Sequence, residues 1–481
     1  MKFDEKPILK DPPKDGRLSP PAIREGAAVD VRCHPSKVKD TQAIGLPGER
    51  VPDWQAKALE KFADLLESNR SLRVFMDICV RCGACADKCQ FYLGTGDPQN
   101  FPVERAELMR QVYRRHFLPA GRLFGALSEG AELDEAMLQK WYTYFYQCSE
   151  CRRCSVFCPY GIDTAEITMA AREIMASVGV STKYVTEVVA KVYEKGNNLG
   201  IPGPAWKDNC EFLEEDVESE TGLSIRFPVD DEGADVLLVP PSADNFANTD
   251  TFIGYAKLFH ALGIRWTTST YCNEAGNFGL FLNYANMQKV NRRILEAARM
   301  LKVKRIIWGE CGHAWRAAIF TPTLNGPMDD FDPPYPYHIS QYIVSLLKSG
   351  ALNGRIDKSA NDEYIVTYHD PCNTARAGQL IEEPREIIRA VANHFVEMRA
   401  DTIREKTFCC GAGGGLLTDE LMPIRMAGGK PRAMAVKHSG ATYLATICAI
   451  CKAQLPESMH YWDVPVKVGG VIDLLSRALI F

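Results

Sequence analysis

The sequence predicts a multidomain α+β protein: a small α-helical, cysteine-rich domain followed by a duplicated α/β domain on mainly parallel sheets. Three observations carry this expectation. Two four-cysteine runs lie among segments with helical apolar spacing. A later region alternates strand-like and helix-like segments, the pattern of α/β layers. That region also repeats itself at a fixed offset, as a duplicated fold unit does.

The 481 residues, 46% of them hydrophobic, suffice for two or three domains with cores of their own. The formal charge is −5 with both signs interspersed, so no basic stripe offers itself to nucleic acid. No apolar run reaches the length of a membrane helix, so no direct membrane span is expected. The opening MKFDEKPILKDPPKDGRLSPP holds no apolar core of a secretory signal. Seventeen cysteines in such a chain point to metal or redox chemistry in a reducing cytoplasm rather than to disulfides.

Taken in order, residues 1–50 are rich in Pro, Lys and Asp and read as an extended arm. Trp54, Ala58, Leu59, Phe62, Leu65 and Leu66 recur at helical spacing and open a helical cysteine domain over 51–195. Further helices are expected over VERAELMRQVYRRHF, over DEAMLQKWYTYFYQ, and near 163–177 and 182–195. Residues 196–232 are polar, acidic and broken by Gly and Pro, and read as a linker. A first α/β half over 233–360 has strand-like ADVLLVPPS, IRWTTS and KRIIWGE around helical YAKLFHALG and MQKVNRRILEAARML. A second half over 361–481 does the same with EYIVTYHDP, REIIRAVANHF, PRAMAVKHSG and TYLATI.

The halves align through their cysteines. Cys272 and Cys311 are 39 residues apart, and so are Cys409 and Cys448. CNEAGNFG answers CCGAGGG, and Ser242 at the end of VPPS answers Cys372 at the end of YHDPC. The copies are unequal. The second carries Cys372, Cys409, Cys410, Cys448 and Cys451, where the first has Ser242, Cys272, Asn273, Cys311 and Ala314.

The runs DICVRCGACADKCQFY and QCSECRRCSVFCPYGID share the pattern C-x2-C-x2-C-x3-C. Three thiolates of such a loop grip one cubane iron–sulfur cluster, and the fourth ligates the other. Cys79, Cys82, Cys85 and Cys158 are thereby assigned to one [4Fe–4S] cluster, and Cys148, Cys151, Cys154 and Cys89 to a second. Zinc sites would use separated cysteine pairs instead. The five thiols of the second half exceed the four that tetrahedral zinc accepts and suit an iron–sulfur assembly that is not a simple cubane. Gly411, Gly413 and Gly414 let backbone N–H groups approach such a cluster without a Cβ in the way. Their hydrogen bonds would tune its potential.

GAGGG lacks the strand–GxGxxG–helix context of a dinucleotide turn, so neither NAD nor flavin is expected. Cys272 and Cys311 are either auxiliary, exchange-active thiols or buried remnants of a duplicated site. His313 and His369 are either proton donors to a leaving thiolate or structural histidines. Cys33 and Cys210 read as structural or incidental.

The ferredoxin-like pair of cysteine runs followed by a duplicated CCG-type domain resembles the catalytic subunits of membrane-linked heterodisulfide reductases, over about residues 50–481. The wording around 79–95 and 148–163 resembles most the DsrK type, the cytoplasmic iron–sulfur subunit of the DsrMKJOP complex of dissimilatory sulfur metabolism. The resemblance implies a noncubane [4Fe–4S] cluster on Cys372, Cys409, Cys410, Cys448 and Cys451. It implies an oxidoreductase acting on sulfur groups, with two cubanes that carry electrons from a haem-bearing, DsrM-like membrane subunit. The implied substrate is a disulfide or trisulfide on a DsrC-like sulfur-carrier protein. The implied place is the inner face of the cytoplasmic membrane, reached through partner subunits. Reductases with five cysteines in both halves differ from this chain, whose first half is incomplete, so one noncubane cluster is expected. Breaking a sulfur–sulfur bond needs two electrons while cubanes deliver one at a time, which separates the wire from the reactive centre. Two alternatives remain open. One is an electron-relay subunit of a glycolate, lactate or glycerol-3-phosphate oxidising complex; the other is a non-catalytic electron-transfer module, for which four ligands would suffice.

Overall fold

The computed structural model describes residues 32–481. The first part of the expected arm, up to residue 31, lies outside the described residues. The chain forms two units. One takes residues up to Ala190 with 280–283 and 408–434; the other takes 191–279, 284–407 and 435–481.

The first unit is helical. Trp54–Ser68, Pro102–Phe117, Glu135–Tyr146 and Thr164–Ser177 close on a core that includes Phe62, Met109, Val112, Trp141, Phe145 and Ala171. Trp54, Ala58, Phe62, Leu65 and Leu66 all fall on the buried face of the first of these helices, as their spacing requires. Each such large apolar side chain contributes about 1.5–3 kcal/mol by leaving water. The cysteine runs occupy the loops between helices. Their backbone turns sharply at Arg81, Gly83, Glu150 and Arg152, all with positive φ, so that thiols from one short loop face a common centre. Residues 32–50 pack on this unit: the Tyr142 hydroxyl donates to the Cys33 carbonyl at 2.9 Å, and the Lys183 N–H to that of His34 at 2.8 Å.

The second unit is α/β. β1 (Val236–Val239), β2 (Trp266–Thr267), β3 (Arg305–Trp308) and β4 (Tyr337–His338) form a parallel sheet in the order β2-β1-β3-β4. β5 (Val366–Tyr368), β6 (Tyr443–Thr446) and β7 (Lys467–Gly470) form a second parallel sheet, β5-β6-β7. A parallel bridge between Val366 and Phe395 puts Phe395 beside β5, where β2 stands beside β1. The two sheets therefore share one topology. Their helices exchange partners: Thr249–Ala261 of the first half packs on Val471–Ala478 of the second, and Ile339–Lys348 of the first on Glu383–Val391 of the second. That reciprocity is what a pseudo-twofold relation between two copies produces. Phe252, Tyr255, Ile339, Ile387, Ile472 and Leu475 from both halves share the core it creates.

Two expectations change. The stretch 196–232 holds the helix Gly203–Thr221, with Trp206, Cys210, Leu213 and Val217 buried along one face. Its Gly and Pro are the helix's own punctuation: Pro204 stands in the first turn and Gly222 takes the left-handed cap. The acidic residues are the outer face of a helix, not a linker. Residues 408–434 also group with the helical unit rather than with the rest of 361–481. Among the described residues no helix is long and apolar enough to cross a membrane.

Candidate iron–sulfur centres

In the helical unit two cavities hold the two cysteine quartets. Cys79, Cys82, Cys85 and Cys158 line the first, together with Cys154, Val103 and Ile162. Cys89, Cys148, Cys151 and Cys154 line the second, together with Gln90, Arg105 and Arg153. Sulfur-lined cavities with apolar walls fit cubane clusters, since thiolates supply the bonds and dry walls set the potential. Cys82 is exposed, so the first cavity lies at the surface of its unit. Burial and the neighbouring Cys151 and Cys148 push the Cys154 thiol well up, so loading metal there must release a proton. The buried Arg105, which donates to the Tyr144 carbonyl at 2.9 Å and to Asn100 Oδ1 at 2.7 Å, sets a positive charge beside the second quartet.

The glycine turn after Cys410 meets the second quartet within this same unit. A Cβ on Gly414, which has φ of +68°, would lie 2.8 Å from the Cys148 carbonyl oxygen and 2.9 Å from the Ser149 backbone. Only glycine permits that approach. The fully buried Arg172 fastens both loops, donating to the carbonyls of Gly414, Cys148 and Phe145 at 2.8 Å each. It also pairs with Glu150 at 3.0 Å. Phe408, which precedes Cys409, covers the Arg153 guanidinium at 3.9 Å. The Gly411 N–H donates to the Cys409 sulfur at 3.5 Å.

In the α/β unit the parallel strands deliver their following residues at carboxyl ends, the usual place for sites in such sheets. Ser242 follows β1, Cys311 follows β3, Cys372 follows β5 and Cys448 follows β6. The neighbouring Cys311 and Cys451 pull the Cys448 thiol well below the ordinary thiol range, and the Cys311 thiol is pushed well above it. His369 Nε2 lies 3.4 Å from Cys451 Sγ. The His313 ring packs edge-on against Phe278 at 5.5 Å. Burial in the apolar core pushes the Cys272 thiol up to about 12. Cys272 and Cys311 both lie in one apolar core, and of the two only Cys311 is in electrostatic reach of Cys448.

Cys372 is set by its neighbour Asp370. Arg385 grips that carboxylate with two hydrogen bonds of 2.6 and 2.8 Å, and both side chains are fully buried. The Arg404 N–H also donates to Asp370 at 2.8 Å, and the Thr407 hydroxyl to its carbonyl at 3.0 Å. One carboxylate therefore fixes the turn into Cys372 and the segment leading to Cys409.

The incomplete half is filled by its own side chains. Glu274, the counterpart of Gly411, accepts from the Ser242 hydroxyl and from the N–H groups of Ser242, Asn198 and Gly276 at 3.3, 3.2 and 2.6 Å. Burial pushes its carboxyl up to about 7 against those bonds. Next to Cys451, the buried Lys452 reaches Glu310 at 2.9 Å, Thr251 at 2.7 Å and Asp244 at 3.7 Å. This ties the helix Ala449–Tyr461, which carries Cys451, onto the first half. His338, which no sequence motif singles out, is buried within electrostatic reach of Cys448 and pushed down to about 3, hence neutral across the physiological range. It stands in a two-residue strand with no cysteine beside it, so no local pattern marks it.

Residues 75–162 match the 4Fe-4S dicluster domain, and residues 366–456 match the Cysteine-rich domain. The chain is 45% identical to the Hdr-like menaquinol oxidoreductase iron–sulfur subunit 2 of Archaeoglobus fulgidus, covering 89% of this chain and 84% of that one. It is 43% identical to the corresponding iron–sulfur subunit of Archaeoglobus profundus, with the same coverage of 89% and 84%. It is 24% identical to a subunit of the dihydromethanophenazine:CoB–CoM heterodisulfide reductase of Methanosarcina mazei, over 84% of this chain and 94% of that one. With its paired cysteine cavities and its CCG-type second half, the chain belongs to the family of Hdr-like oxidoreductase iron–sulfur subunits.

Proposed function

We propose that this chain is the catalytic iron–sulfur subunit, of DsrK type, of a membrane-linked electron-transfer complex in dissimilatory sulfur metabolism. Its proposed reaction is reduction, or in reverse formation, of a disulfide or trisulfide on a DsrC-like sulfur-carrier protein. For a disulfide, the sulfur–sulfur bond breaks as two electrons and two protons enter, leaving two thiols. Electrons reach the chain at its cytoplasmic position from a haem-bearing, DsrM-like membrane subunit. The names of the Archaeoglobus and Methanosarcina relatives, a menaquinol oxidoreductase and a heterodisulfide reductase, support a quinol-side source and a disulfide-side acceptor.

The single observation that carries this reading is the contact of Gly414 with Cys148 and Ser149, fastened by Arg172. It joins the loop of the second quartet to the loop of the paired cysteines inside one unit. Exposed Cys82 supports the first quartet as the point of entry and the second as the step before the paired cysteines. Cys372, Cys409, Cys410, Cys448 and Cys451 are the proposed ligand set of one noncubane [4Fe–4S] cluster. When bound, the clusters supply one-electron transfer and an iron that accepts sulfur. The protein's own groups do the rest. Asp370 and Arg385 set Cys372, and Lys452 sets Cys451. His369, beside Cys451, holds a proton within reach of a leaving thiolate.

The test is an iron count and EPR on the chain purified anaerobically, with and without a disulfide substrate. About twelve irons are expected, for two cubanes and one further four-iron cluster. A paramagnetic signal should depend on substrate and disappear in both Cys409→Ser and Cys410→Ser. About eight irons with no substrate response would reduce the chain to a relay. A second expectation concerns Arg105. Arg105→Met should lower the midpoint potential of the second cubane, because a buried positive charge that favours the more negative, reduced cluster is gone. An EPR redox titration that finds the potential unmoved would remove that role.

A further inference from the structure

The second cysteine run carries two adjacent arginines, and the fold sends them to different places. Arg152 is partly exposed and pairs with Asp163 at 2.9 Å. Arg153 is buried and lines the cavity of the second quartet. Its guanidinium donates to the Lys88 carbonyl at 2.8 Å. The side chain that precedes Cys154 thus holds the backbone that precedes Cys89, and both cysteines belong to this quartet. Two rings lie against the guanidinium, Phe157 at 5.0 Å and Phe408 at 3.9 Å. Phe408 belongs to neither cysteine run; it stands directly before Cys409. It is buried against Leu93, in the helix Gln90–Thr95 that follows Cys89, and its carbonyl accepts from the buried Arg432 at 3.4 Å. The same helix meets the segment after the paired cysteines through glycines. A Cβ on Gly94 would run into the Ala427 carbonyl oxygen, and one on Gly428 into the Phe91 ring. All of these residues lie in the helical unit, where this packing leaves the Phe408 ring one place, against Arg153.

We propose that Phe408 holds the Arg153 charge against the second quartet, so that the segment bearing Cys409 and Cys410 sets the potential of the second cubane. The proposal rests on the reading of this quartet as a cubane site, made above. A ring face attracts a guanidinium, and a buried ring also keeps water from it. A cation in such dry surroundings acts strongly on neighbouring charge. It favours the reduced, more negative cluster and so raises its potential. Arginine suits the place better than lysine, because its planar group can stack on a ring and donate to a carbonyl at once. Arg153 is therefore a positioning residue whose own position depends on Phe408.

Phe408→Leu, Arg153→Met, Arg153→Lys and the double variant of Phe408→Leu with Arg153→Met would be prepared as full-length chains. Each would be purified anaerobically, its iron counted and its EPR signals titrated against potential. Cys151→Ser identifies the second cubane as the signal that it abolishes. Arg153→Met should lower the midpoint potential of that signal, and Phe408→Leu should lower it less, both with wild-type iron content. Arg153→Lys, which keeps the charge, should give back part of the loss. The double variant should match Arg153→Met alone, because the ring acts through the arginine. An unmoved potential in Phe408→Leu would overturn the proposal. So would a double variant whose shift is the sum of the two single shifts, or a lysine variant as low as the methionine one. Loss of iron in Phe408→Leu would make the ring a structural prop and overturn it as well. Should Arg153→Met fail to hold iron, Phe408→Leu decides alone: a lowered potential with full iron supports the proposal. A wild-type chain without any signal that Cys151→Ser abolishes would bring down the cubane reading, and the proposal with it. A signal that is present but unmoved in Phe408→Leu brings down the role of the ring alone.

Discussion

Arg385→Met is expected to destabilise the α/β unit by about 3–5 kcal/mol, the range for stranding one partner of a buried ion pair. Arg385 and Asp370 are both fully buried, and the guanidinium meets both carboxylate oxygens. Arg385 also binds Glu397 at 2.7 Å and lies over the Tyr368 ring at 5.1 Å. Methionine keeps most of the volume and leaves Asp370 charged in a dry place. Lysine would not rescue it, because an ammonium cannot match two oxygens and a ring face at once. Adding Asp370→Asn to Arg385→Met should restore part of the loss, since the stranded charge is then gone. Thermal unfolding of the anaerobically purified variants measures this. A cost for the single variant below about 1 kcal/mol, typical of an exposed pair, would refute it. The same variant should lose iron from the proposed third cluster before cubane iron, because Asp370 fixes the approach to both Cys372 and Thr407.

That dependence was not legible in the sequence, whereas the cysteine spacing was. Cysteine spacing is a local property, so each quartet could be assigned before the fold was known, and each quartet lines one cavity. The strands β1, β3, β5 and β6 were legible too, since they are short apolar runs buried almost from end to end. β4 is two residues long and β7 ends in two glycines, so neither has a run to read. The helix Gly203–Thr221 was hidden by its acidic outer face, although Trp206, Cys210, Leu213 and Val217 keep a helical period beneath it. Buried charges are the least legible of all. Lys452 and Arg385 look like ordinary helix residues, and the groups that neutralise them come from other elements. Cys272 and Cys311 carry the same local signal and share one apolar core, and only the reach of Cys311 toward Cys448 tells them apart.

Arg172→Met tests the joint between the second quartet and the glycine turn. Arg172 and its partner Glu150 have no exposed side-chain surface, and the guanidinium also satisfies carbonyls of Phe145, Cys148 and Gly414. The last of these is 242 residues away in sequence, so the bond closes one of the longest loops in the chain. Methionine would strand the Glu150 carboxylate, for about 3–5 kcal/mol. It would also leave the carbonyls of Cys148 and Gly414 without this donor, each costing about 1–3 kcal/mol unless water enters, while the Phe145 carbonyl keeps the Cys148 N–H at 3.3 Å. For a unit of this size the charge part alone should lower the Tm by roughly 6–20 °C, and the carbonyl part should lower it further. Glu150→Gln added to Arg172→Met should recover the charge part and not the carbonyl part, so the double variant stays well below wild type. Full recovery would mean that the two carbonyls contribute nothing and that the two loops hold together without the arginine. The functional signature differs from that of Arg385. Iron should leave the second quartet first, and, on the proposed order of clusters, electron delivery to added disulfide should stop even in molecules that retain the proposed third cluster. A variant that unfolds earlier yet still passes electrons at the wild-type rate would make Arg172 a structural pin and nothing more.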